Sequence, residues 1–312
     1  QNLLSKYSEK LSVKSEISQM GGVQKLDFSL NKRSHNIKHF FKLSAKSIFR
    51  SNSSQLIYAL NADEWGVGKA NNSLDFDYNY SYKGLKGKGK LYLHYRSSAL
   101  LSDYSYEYLT LENKFQKRVQ KFFLKTRIFG FAGQGSNWAP ESKLFLAGAN
   151  PEEMTNNKFT RSEGFFQKSN AKYGDNLNLL HSGGGLNLRG YSGYLAPEEL
   201  DGELVSTYKG TVGASVNIEG EFQRYLGLNQ SKLKRYLDFS TYAFFDAGII
   251  NVGNANLLST KIAEPRVDAG LGIALKIKKF YHFETTKPLT VRADFPLFLN
   301  RTPNVAPDNI QF

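Results

Sequence analysis

Cysteine is absent from this 312-residue chain. That removes disulfide frameworks, cysteine nucleophiles and thiolate metal sites together. Long hydrophobic runs are missing too: no segment approaches the ~20 consecutive apolar residues that a membrane-spanning helix needs. Helical spacing of apolar residues is nearly absent. Histidine is sparse, and His35, His39, His94, His181 and His282 are scattered. His35 and His39 stand four apart, but without the Glu of a His-Glu-x-x-His zinc motif. No Gly-x-Ser-x-Gly elbow and no phosphate loop occurs. The expectation is a chain with no catalytic residues, no metal and no cofactor, and therefore no enzyme in itself. Gln1 stands where an initiator Met would, with no basic-then-apolar leader after it. This reads as a processed or cropped product, with any soluble domain lying upstream.

Aromatic residues are plentiful, with 18 Tyr and 23 Phe, and they alternate with polar ones. Leu74, Phe76, Tyr78, Tyr80 and Tyr82 share one parity; Asp75, Asp77, Asn79 and Ser81 share the other. The same pattern runs through 267–278. Val267, Ala269, Leu271, Ile273, Leu275 and Ile277 oppose Asp268, Gly270, Gly272, Ala274, Lys276 and Lys278. Period two means strands with unlike faces. Further strands are predicted around Leu11–Ile17, Leu26–Leu30, 37–49, Leu56–Leu60, Leu91–Tyr95, 104–115, Phe122–Ile128, Val212–Ile218, Leu237–Phe245 and Leu289–Phe295. Short polar or Gly-containing connections are expected at Met20-Gly21-Gly22, between Tyr82 and Gly89, and at Gln116-Lys117-Arg118.

A soluble β-sandwich also alternates, so length must discriminate. These segments approach the ~9–11 residues of a tilted membrane strand rather than the ~5–6 of a soluble one. The reading is all-β: a transmembrane antiparallel up-and-down β-barrel of 12–16 strands, filling residues 1–312 as one unit. About eight strands fall before residue 133 and about five after 208. Bacterial barrels normally have an even count. Only Ile310 and Phe312 alternate after Pro307, which reads as a cropped final strand. The net charge of +13 is spread along strands and loops rather than gathered on a helix, so no nucleic-acid partner is expected. Trp65 reads as an interface anchor at a loop tip.

Residues 133–207 break the rhythm, and a stretch that long is usually functional or disordered. At its centre lies Gly183-Gly184-Gly185-Leu186-Asn187-Leu188-Arg189-Gly190-Tyr191. A guanidinium inside a barrel needs a carboxylate, because a lone buried charge is costly. The candidate is Asp246 in Phe244-Phe245-Asp246-Ala247-Gly248, whose parity puts it inside with Asp238, Ser240 and Tyr242. The competing reading is a solvated surface Arg.

Leu188-Arg189-Gly190-Tyr191 resembles the Val-Arg-Gly-Phe/Tyr signature of the BamA-type superfamily of outer-membrane barrels, the bacterial surface antigen family. Phe244 to Gly248 resembles its Phe-x-Asp-x-Gly strand, and Arg292-Ala293-Asp294-Phe295-Pro296 a later strand. The resemblance implies a long extracellular loop folded into the lumen, held by a structural lock of Arg189, Gly190, Tyr191, Phe244, Asp246 and Gly248. It implies a place in the bacterial outer membrane, in contact with lipid and lipopolysaccharide. Partners would be nascent outer-membrane proteins or subunits of an assembly machine, and the activity insertion or translocation of proteins. The family barrel has sixteen strands, eleven of them before the loop, where this sequence shows about eight. The insertion from Asn150 to Leu180 exceeds the family norm and suggests an added extracellular element. Two other readings stand beside this one. The barrel is the membrane anchor of a larger enzyme, patatin-like or zinc aminopeptidase-like; Trp138-Ala139-Pro140 through Met154 resembles segments following aminopeptidase-like domains in Bacteroidota. Or it is a passive porin, which an inward loop argues against.

Overall fold

The computed structural model describes residues 10–20, 23–33, 38–50, 67–84, 87–120, 122–156, 183–192, 194–200, 202–222, 236–252, 261–277, 289–301 and 310–311. Seven strands come first: β1 Lys10–Met20, β2 Val23–Arg33, β3 His39–Arg50, β4 Ala70–Gly84, β5 Gly87–Ser98, β6 Ser105–Val119 and β7 Phe122–Asn137. The long loop then carries β8 (Leu144–Phe145), helix α1 (Pro151–Asn156), a 3-10 turn at Arg189–Tyr191, β9 (Pro197–Leu200), β10 (Glu203–Ser206) and β11 (Lys209–Gly210). Four more long strands follow, β12 Val212–Glu221, β13 Leu237–Ile250, β14 Arg266–Ile277 and β15 Leu289–Leu299, and then the two-residue β16 at Ile310–Gln311.

The eleven long strands form one antiparallel sheet in the order β1 through β7, then β12 through β15. Every long strand pairs with its neighbour in sequence, and β12 takes up the register of β7 directly across the loop, with Val216 opposite Ile128. Among the described residues this sheet has eleven long strands, seven before the loop and four after it. The expected strand at Leu56–Leu60 lies outside the described residues, and β3 and β4, which flank it, pair with each other. Gln116-Lys117-Arg118 is no turn: β6 runs on to Val119, and the break falls at Gln120, with φ of 53°. Likewise Tyr82–Gly84 and Gly87–Gly89 belong to β4 and β5. Polar residues do not end these strands because one whole face of the sheet is polar. The expected turn at Gly21-Gly22, and Trp65, His35, His181, His282, Lys278 and Phe312, lie outside the described residues.

The two faces invert the usual soluble pattern. Leu74 and Leu271 on the outer face are 53% and 47% exposed, while Asp75 and Asp268 beside them on the inner face are 1% and 0% exposed. Leu109, Leu111, Ile128, Phe245 and Ile273 continue the exposed apolar surface across the sheet. A sandwich would bury these side chains against a second sheet; here they stay open, forming a band far wider than the patches soluble proteins tolerate. Such a face belongs in lipid.

The inner face is filled from one end by the loop. Tyr106 and Tyr108 of β6 and Phe129 and Phe131 of β7 point inward and are buried with Trp138, Leu144, Leu146, Leu186, Leu188 and Tyr191. Trp138 stacks on Tyr106 with ring centroids 4.8 Å apart, and Phe131 on Tyr108 at 4.6 Å. Burying large aromatic surfaces gives the loop a packed core of its own. The other half of the interior stays polar.

Candidate functional site

The glycine-rich segment is laid along the loop's own outgoing limb. The Leu186 amide donates to the Phe145 carbonyl at 2.9 Å and that of Leu188 to Leu146 at 3.1 Å. The close approach depends on Gly185, whose φ of +48° favours glycine and where a Cβ would stand 2.6 Å from the Gly148 carbonyl. Asn217 of β12 anchors the same stretch from the wall, donating to the Asn187 carbonyl and to Asp246, each at 3.0 Å. Arg127 of β7 donates to the Gly185 carbonyl at 2.7 Å.

Arg189 then turns into the wall. Its Nε and Nη2 donate to the two oxygens of Asp246 at 2.7 and 2.8 Å, a bidentate pair. Its Nη1 reaches Glu219 on β12 at 2.8 Å and Asp294 on β15 at 3.3 Å. The guanidinium lies over the Phe244 ring, 4.0 Å from the centroid. One buried cation thus touches carboxylates from three strands. Arg292 adds a second cation, 2.7 Å from Glu219, and Tyr242 donates to Asp294 at 2.8 Å.

The neighbouring residues fit by shape. Tyr191 is fully buried, and its hydroxyl donates to Asn300 at 3.0 Å. A Cβ on Gly190 would stand 2.8 Å from the Cβ of Asp268, the residue directly opposite Asp246 in the β13–β14 register. A Cβ on Gly248 would stand 2.9 Å from the Leu188 side chain. All six residues singled out in the sequence therefore meet in one place. Gly190→Ala is expected to lower the unfolding midpoint in urea, and Gly248→Ala to do the same less steeply. The nearest atom at Gly248 is a flexible leucine tip, with the Ala214 carbonyl next at 3.0 Å, whereas at Gly190 it is the base of a wall residue. Equal midpoints for wild type and both variants would contradict this packing.

A second cluster was missed. Glu152, at the start of α1, is buried against Arg96 of β5, which is 1% exposed. Arg96 donates through Nη2 to Glu152 at 2.7 Å, through Nη1 to its other oxygen, and through Nε to Asp75 of β4 at 2.5 Å. Lys46 of β3 lies 3.5 Å from both carboxylates, and the Ser142 hydroxyl donates to Glu152 at 3.0 Å. Asn71 of β4 reaches Glu141 at 2.8 Å and accepts from Tyr106 at 2.9 Å. Burial works against ionisation of Glu152, but Arg96, Lys46 and Lys25 outweigh it and hold the carboxyl well below the usual range. The inner parity of Asp75 and Arg96 was readable; that a loop glutamate would complete the pair was not.

Among the described residues no group of three His, Cys, Asp or Glu side chains is placed to hold a metal. His94 is bonded to Asp77 at 2.7 Å and to Tyr108 at 3.2 Å, and His39 to Tyr78 at 3.0 Å. Both are wall contacts.

The chain is an all-β wall with an apolar outside, a polar inside and a loop clasped into its interior. Its fold is similar to that of BamA from Haemophilus ducreyi lacking POTRA domains 1–3, at 12% identity and a TM-score of 0.44, covering 92% of this chain and 54% of that one. It is also similar to CdiB from Escherichia coli, at 11% identity and a TM-score of 0.45, covering 89% of this chain and 42% of that one. The chain therefore spans about half the length of these structures. No protein-family model matches the sequence, and no curated protein matches it.

Proposed function

We propose that this chain forms the wall of a bacterial outer-membrane barrel that assists insertion or translocation of proteins, in contact with lipid, lipopolysaccharide and nascent barrel proteins. The observation that carries the reading is the loop: a passive pore gains nothing from an interior filled with packed aromatics and a clasp onto three strands. The strand edges supply the working surface. Among the described residues β1 pairs with β2 alone and β15 with β14 alone. A free edge offers a row of backbone donors and acceptors to an incoming strand. The clasp keeps the wall in shape while such a strand docks, and Arg189 with its carboxylates acts as a structural lock without a chemical step.

The test is client folding. Proteoliposomes holding this chain should speed the folding of a urea-denatured outer-membrane barrel protein, compared with liposomes holding an unrelated barrel of similar size. Equal rates would overturn the reading and leave a membrane anchor for another domain. A large steady conductance in planar bilayers would instead revive the porin.

A further inference from the structure

Beneath the loop, towards the β4–β5 and β6–β7 turns, the interior opens into a chamber of about 1040 Å³. Gly183, Gly184 and Asn187 of the loop line it, together with residues of the wall. Its charge is lopsided: eight of the described lining side chains are Lys or Arg and two are Glu. The two carboxylates are already engaged. Glu112 pairs with Arg127 and Lys114, and Glu219 with Arg189, Arg292 and Lys125. Lys83, Lys88 and Lys90 are exposed to the chamber. Lys83 stands directly opposite Lys88, and Lys90 directly opposite Lys114. Like charges directly across a sheet repel and destabilise it. The wall thus concentrates a field of one sign in a cleft with a low-dielectric floor and sides, the arrangement that draws in counter-charge.

From this we infer that the chamber is a binding site for an acidic, extended stretch of polypeptide. The lysines spread over β4, β5 and β6, strands about 4.8 Å apart, so the positive array spans roughly 10 Å. A small anion meets only part of such an array, whereas a chain with several carboxylates meets it all. A lipid headgroup has the right charge, but the lysines lie on the inner face, away from the apolar face that meets the bilayer. Only in naming a polypeptide as the source of the carboxylates does the inference rest on the proposed function. Binding and client folding are measured separately and can fail separately.

The probe is a fluorescently labelled decapeptide of glutamate, titrated with the whole chain in nanodiscs and followed by anisotropy. Saturable binding is expected that weakens steeply as salt is raised, with no binding of the matching glutamine peptide. The triple variant Lys83→Gln, Lys88→Gln, Lys90→Gln should bind about tenfold more weakly. Lys14→Gln, on the distant β1, should bind as wild type does. Heat-modifiability should show both variants folded; the salt dependence of wild type tests the site without any variant. Absence of binding, or equal binding by the triple variant, overturns the inference. So does displacement of the peptide by inorganic phosphate at equal charge, which would mark a small-anion site, or by vesicles of anionic phospholipid, which would mark a headgroup site.

Discussion

Arg189→Ala is expected to destabilise the folded chain by about 3–5 kcal/mol, the cost of removing one member of a buried ion pair. The size follows from what remains. Asp246 is fully buried, and Asp268 stands opposite it, equally buried. With the guanidinium gone, Asp246 is left buried without its counter-charge and with a second carboxyl group facing it, while Glu219 keeps Arg292. Arg189→Lys keeps the charge but not the fork that grips both Asp246 oxygens while reaching Glu219 and Asp294. It should therefore recover only part of the loss. The temperature at which the folded band gives way to the unfolded band in heat-modifiability gels measures both. An unchanged temperature in Arg189→Ala would mean that the clasp bears no load.

The second large effect belongs to Arg96→Ala, expected to cost up to about 3–5 kcal/mol because Asp75 and Glu152 lose the guanidinium that bridges them and keep only the more distant ammonium groups of Lys46 and Lys25. The two clasps share no partner, so their losses should add in a double variant. A double loss much smaller than the sum would show that the loop comes away whole once either end is freed. Glu152 also gives this cluster a pH signature. A carboxyl whose folded value lies below its unfolded one contributes stability above the unfolded value, near ~4.3 for Glu. That contribution drains away as pH falls towards the lowered folded value. Below about pH 5 the wild-type midpoint should drop, and Glu152→Gln should flatten part of that drop. An acid limb identical in both would remove Glu152 from the account.

The sequence carried the sheet because period two survives wherever one face meets lipid and the other water. The inner parity of Asp246 and of Asp75 could be read directly, and so could the outward set Leu74, Phe76 and Tyr78. Arg189 stood out because a lone guanidinium among glycines needs an explanation. The missed elements all depend on register or on long-range docking. Lysine and glutamine at 116–118 looked like a turn, yet a wet interior accepts them within a strand. Tyr106, Tyr108, Phe129 and Phe131 face inward against the rule that apolar means outside, since the loop brings its own apolar surface to meet them. Glu152 sits in a short acidic run that looks solvated until Arg96 is found across the interior. No local pattern announces a partner 56 residues away.

The two clasps grip the wall on either side of β6 and β7, and the loop limbs between them are stitched by the Leu186–Phe145 and Leu188–Leu146 bonds. The loop is thus a bowstring, and the strands from β5 to β13 are the bow whose chord it fixes. Bending or spreading in that arc must stretch the string, so breathing of the sheet is thrown onto the flank at β1, which among the described residues pairs with β2 alone.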